Sequence, residues 1–195
     1  MSESTQQALQ RANEAVARAD ANLTLSKREA LSIIADKIPA AVDQRAKEIA
    51  HKHPDVTRNL GQEGVKNFRK DLAESAEKLA THVRTGEDNI EWPDKRLVES
   101  SRFWGSSPKE VRNAICDYMN GSPINEVEAV FARYGYQAHI HIFDGRVPQL
   151  LSQSLCAIED VNIIAEALEQ LADAQSAQER AKTDDDQATV NDLWE

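Results

Sequence analysis

The chain has 195 residues, of which 41% are hydrophobic and 29% charged, and its net charge is −10. That balance belongs to a folded soluble protein and excludes a disordered or fibrous chain. The opening seven residues are polar and acidic, unlike a secretory signal. The longest apolar runs, such as residues 155–158, fall far short of the roughly 20 residues that span a bilayer. Two cysteines, Cys116 and Cys156, are too few for a disulfide framework, so the expectation is a cytoplasmic protein with no membrane segment.

The acidity is uneven. Residues 1–150 carry 21 Lys/Arg against 22 Asp/Glu, a net of −1, whereas residues 151–195 carry 2 against 11, a net of −9. Whole-chain charge therefore says little about the first three quarters of the protein.

In chain order, Leu9, Ala12, Val16 and Ala19 predict a first helix over residues 3–22 with a thin, alanine-rich seam. Ser26 and Glu29 have the spacing of a capping box and predict a new helix start. Leu31, Ile34, Ile38, Val42, Ala46 and Ile49 then share a face. Pro39 predicts a kink or break near Lys37, and His53-Pro54 a stop. Gly61 and Gly64 mark a connection before the stripe Val65, Phe68, Leu72, Ala76, Leu79 and Val83. Residues 1–84 thus read as an N-terminal region of three helices, and residues 85–95 as a linker.

Beyond it the composition changes, because eight of the ten aromatic residues lie between Trp92 and Phe143. Aromatic side chains dominate core energetics, each burying on the order of 150–250 Å². Residues 96–182 therefore read as an aromatic-core helical domain, with helices opening at Ser107-Pro108 and Ser122-Pro123. The alternation of residues 137–143, followed by Asp144-Gly145, predicts a β-hairpin near residues 137–147. A long helix carries Leu151, Leu155, Ile158, Val161, Ala165, Leu168 and Ala172; its seam fades there, and residues 183–195 read as an acidic tail. The fold expected is mainly α, a multi-helix bundle with one small hairpin.

No motif dictates a reaction: there is no phosphate loop, nucleophile elbow or C-x-x-C, and both cysteines follow large aliphatic residues as core residues do. Neither catalytic nor cofactor-binding residues are expected. For a divalent metal the candidates are His139 and His141, which would share one face of a strand, although a third ligand at diagnostic spacing is missing. Glu48 and His51 have the spacing of a dimetal bundle, without the second motif such a site needs. The order helix, turn, helix, hairpin over residues 107–147 matches a winged helix-turn-helix, but Asn125, Glu126 and Glu128 open the second helix where a DNA reader presents basic residues.

Partner binding has more to offer. Asp184, Asp185 and Asp186 followed by Leu193 and Trp194 combine steering charge with an apolar anchor. Trp92, Phe103 and Trp104 either lid the core under loops or line a groove. The leading expectation is a non-catalytic interaction or adaptor protein with an unidentified protein partner, self-associating through helical seams into a homo-oligomer. A DNA-binding regulator on residues 107–147 and a metal-dependent protein using His139 and His141 are the alternatives.

Overall fold

The computed structural model describes residues 4–93, 96–97, 103–104, 108–120, 122–136 and 156–194. Five α-helices account for most of them: α1 (Thr5–Lys52), α2 (Pro54–Arg84), α3 (Pro108–Met119), α4 (Ser122–Arg133) and α5 (Ile158–Trp194). A short 3-10 turn at Glu87–Asn89 follows α2. Strands β1 (Arg96–Leu97) and β2 (Phe103–Trp104) pair antiparallel, with Arg96 opposite Trp104 and Leu97 opposite Phe103. The architecture is mainly helical, as the periodicity predicts; the hairpin expected at residues 137–147 lies outside the described residues. Among the described residues, no helix is long and apolar enough to cross a membrane.

The first correction concerns α1. The two helices expected over residues 3–22 and from Ser26 are one continuous helix of 48 residues, capped by Ser4, whose Oγ accepts from the Gln7 amide at 3.3 Å. Ser26 caps nothing and is buried inside the helix. A capping box satisfies free amide donors only where a helix starts. Here the preceding turn already supplies acceptors, and packing against α5 holds the chain helical through the weak alanine seam. Pro39 also lies within α1, so the helix runs through the position at which a break was expected.

His53 ends α1, with its amide bonded to the Ile49 carbonyl, and Pro54 opens α2 at a position where a missing N–H costs nothing. Gly61 interrupts α2 with φ 65° and ψ −177°, a conformation that side chains disfavour, and the helix resumes toward Arg84. Two helical stretches thus meet across a kink at Gly61, where the sequence marks a connection. Helix α4 ends in a Schellman arrangement: the Tyr136 amide donates to the Phe131 carbonyl at 3.0 Å and the Gly135 amide to Ala132 at 3.1 Å, with Gly135 at φ 89°.

One hydrophobic core runs through all five helices, from Ala30, Leu31, Ile34 and Ile38 of α1 to Phe68, Leu72 and Leu79 of α2, Ile115 and Met119 of α3, Val127 and Phe131 of α4, and Val161 and Ile164 of α5. Helix α2 folds back along the second half of α1, as the ion pair Arg84–Asp36 (2.7 Å) and the link Arg28–Glu87 (2.7 Å) record. Helix α5 runs antiparallel to α1 on another side: Lys37 pairs with Asp160, Asn22 Nδ2 donates to Gln170 (3.0 Å), Gln178 Nε2 to Asn13 (2.8 Å) and Thr5 Oγ1 to Asp185 (2.7 Å).

The first 18 residues of α1 form an arm with the far half of α5. No described residue of α1 before Leu23 is buried, and the half-buried positions Thr5, Leu9, Ala12, Val16 and Ala19 keep a heptad rhythm. On α5 the same rhythm continues past Ala172 through Ala174, Gln178, Ala181, Asp185 and Ala188. None of residues 173–182 is buried, but Ala174, Ser176, Gln178 and Ala181 are half-buried rather than exposed. Small side chains let two helices approach closely, so an alanine seam that looks weak in sequence still makes contact. At about 1.5 Å per residue the arm is roughly 27 Å long.

Candidate functional site

The sequence-predicted residues divide into three groups. Trp92 sits half-buried behind the 3-10 turn, its indole N–H donating to the Glu87 carbonyl at 2.8 Å, with the Lys27 ammonium 4.9 Å from the ring centre. This is the geometry of a lid with a cation on its face. Burial pushes the Lys27 ammonium below its ordinary range, against the opposing pull of Glu87, Asp20 and Asp88. Phe103 and Trp104 form β2 opposite β1, away in sequence from Trp92.

At the other end of the molecule, the predicted acidic tail is the last part of α5, helical through Trp194. Asp185 accepts the Thr5 hydroxyl at the start of α1, whose own first turn carries no acidic residue. A carboxylate from α5 therefore stands at the positive end of the α1 dipole. Asp184 and Asp186 are exposed, as is Val190 at 46%. Leu193 and Trp194 follow Val190 by three and four residues in the closing turn of the helix. A shallow depression of about 760 Å³ runs along α5 between Asp173 and Asp184, lined also by Ser176, Glu179, Arg180 and Thr183.

His139 and His141 lie outside the described residues. Among the described residues, no group of three His, Cys, Asp or Glu side chains could hold a metal ion. Glu48 is held by Gln44 (3.2 Å) and Arg45 (3.1 Å), and these two bonds keep its carboxyl below the usual range. His51 is exposed near the end of α1. The helix pair α3 and α4 forms as expected, yet the exposed opening of α4 keeps its acidic character. Glu126 pairs with Lys78 of α2 at 3.6 Å, and Arg133 turns to Asp71 at 3.1 Å.

Two arrangements escaped the sequence. The first is an aromatic knot in which Phe68 meets Phe131, Tyr134 and Tyr136 at centroid distances of 5.5, 5.3 and 5.3 Å. Its polar edges are satisfied: the Tyr134 hydroxyl donates to Asp71 (2.8 Å), and the Tyr136 hydroxyl meets Thr57 Oγ1 (3.0 Å). The bond to Asp71 raises the Tyr134 phenol above its ordinary value.

The second surrounds a cleft of about 440 Å³ between the 3-10 turn and α3, lined by Asn89, Glu91, Glu110, Asn113, Asp117 and Tyr118. On its wall the Tyr118 ring stacks on His82 at 4.4 Å and 9°, with the hydroxyl 3.3 Å from both the His82 carbonyl and its Nδ1. Burial lowers the His82 imidazole below its ordinary value and raises the Tyr118 phenol, the latter opposed by a hydrogen bond with Asn89. Three carboxylates, Glu91, Glu110 and Asp117, line this cleft. Its chemistry is that of an open acidic recess, and no reaction follows from it. In the sequence this stretch reads only as the linker 85–95, and Gly86 within it is the one hint of a close approach to the backbone.

No family model, no curated protein and no solved structure matches the chain. Its function has to be argued from its own residues.

Proposed function

We propose that the protein is a non-catalytic interaction protein that presents the α1/α5 arm to a helical partner. The observation that carries this reading is the seam of the arm, where residues at heptad spacing on both helices stay half-buried because two helices cannot enclose them. A third or fourth helix laid along the arm would complete their burial, and a second copy of this chain is the simplest source of one. The end of α5 adds to the surface, with Val190 exposed and Leu193 and Trp194 in the final turn. Asp184 and Asp186 supply steering charge there, while Asp185 serves the arm itself. Trp92 fits better as a lid of the head, given its bond to Glu87 and the Lys27 cation above it.

The test is site-specific photo-crosslinking in cells, with the reactive residue at Ala177 or Val190 on the arm and at Arg69 on the head. All three positions are exposed. The reading expects one defined crosslinked species from the arm positions, either a dimer of this chain or a complex with a single other protein, and none from Arg69. Equal labelling from all three positions would refute it. Light scattering on the purified chain then separates self-association from capture of a different partner.

A further inference from the structure

The chain has two cysteines, 40 positions apart in sequence, and the fold brings them together. Cys116 lies on the buried face of α3 and Cys156 two residues ahead of α5, and both are buried free thiols. The Cys156 thiol meets the Met119 sulfur at 3.8 Å, and Met119 lies three residues along α3 from Cys116 on the same buried face, so the two thiols are neighbours. Three of the sulfur atoms in this protein are therefore gathered where α3 packs on α5. Neither thiol takes part in the proposed interaction surface. Packing alone asks only for small apolar residues here, a role alanine or valine also fills.

We infer that Cys116 and Cys156 close into a reversible intramolecular disulfide when the protein meets a peroxide, forming a latch that fastens α3 to the start of α5. The steps balance. The Cys116 sulfur attacks one oxygen of hydrogen peroxide, the O–O bond breaks, and the thiol proton leaves with the other oxygen as water. The sulfenic acid so formed is attacked by the Cys156 sulfur; the S–S bond forms, the S–O bond breaks, and a second water carries off the remaining proton. Two thiols lose two electrons in total, and one peroxide becomes two waters. Closure brings the two sulfurs to about 2.05 Å, which needs only neighbouring side chains and no exchange of helices.

The neighbouring Cys116 thiol, and then burial, keep the Cys156 thiol protonated well above its ordinary range, with Arg112 pulling the other way. Closure is therefore slow in the resting fold, and it is favoured when α3 loosens from α5. The bond encloses the whole stretch from α4 to the start of α5, and cross-linking a loop of that length restricts the unfolded chain substantially.

The experiment treats the purified full-length chain with hydrogen peroxide, blocks remaining thiols with iodoacetamide and maps peptides by mass spectrometry. Urea unfolding is followed with and without dithiothreitol. The expected result is a Cys116–Cys156 peptide pair two hydrogens lighter than its parts, no disulfide between two chains, and an upward shift of the urea midpoint that dithiothreitol reverses. Cys116→Ala and Cys156→Ala variants, checked for native helix content, should each lose that shift; Cys116→Ser and Cys156→Ser provide a second pair should alanine unfold either one. Two alkylated cysteines after oxidation, independent sulfonic acids, disulfide-linked dimers, or a midpoint that does not move would each overturn the inference.

Discussion

Replacing Gly86 by alanine sets two effects of opposite sign against each other. The backbone at Gly86 has φ −85° and ψ 2°, which alanine adopts freely, so lost unfolded-state freedom alone would stabilise the protein by about 0.4–1 kcal/mol. The new methyl, however, would sit 2.4 Å from Tyr118 Cε1 and 2.7 Å from Cζ and the hydroxyl oxygen. Ordinary contact begins near 3.4 Å, so the ring must retreat by about 1 Å. That movement gives up the stack on His82, worth about 0.5–1.5 kcal/mol, and weakens the hydroxyl bond to the His82 carbonyl, worth a similar amount. Steric loss wins, and Gly86→Ala should destabilise by about 1–2 kcal/mol. Urea unfolding followed by circular dichroism would then show a midpoint lower by roughly 0.5–1 M. In a Tyr118→Ala background the clash is gone, and the same substitution should raise stability by about 0.4–1 kcal/mol. A gain in the parent protein, or the same loss in both backgrounds, would refute the argument.

Phe68→Ala removes the centre of the aromatic knot and should cost about 3–5 kcal/mol in urea unfolding, whereas a loss below about 1 kcal/mol would mean the ring is not packed as described. Asp185→Ala should loosen only the arm. Amide exchange at residues 5–16 is expected to quicken several-fold while residues 30–49 keep their protection, and uniform acceleration would contradict a locally held end. Protonation of His82 gives a pH signature. Its folded value is lowered below the unfolded value of 6.5, so the unfolded state binds the proton first. The stabilising contribution is present above pH 6.5 and is lost as pH falls from there through the folded value. His82→Gln should flatten that part of the stability curve, and an unchanged slope between pH 7 and 5.5 would show that another group titrates.

The amphipathic stripes were legible from the residues alone. Phe68, Leu72, Ala76, Leu79 and Val83 are all buried, and so are Leu31, Ile34, Ile38, Val42, Ala46 and Ile49, because a period of 3.6 leaves one face for the core. Strong punctuation was legible too: α1 stops at His53-Pro54 and α3 opens at Pro108. Ser26 and Ala172 show where local reading stops. A capping box and a fading seam describe what a short segment favours by itself, and neither contains the partner helix that keeps α1 continuous and covers α5 to Ala188. The encounters of Cys116 with Cys156, of Tyr118 with His82 over Gly86, and of Asp185 with Thr5 join positions far apart in sequence, with no periodic trace in either segment. Helix type is set by neighbours along the chain, within a few residues. Which helix meets which, and which side chains meet there, is set by long-range packing, and only the tertiary structure decided it.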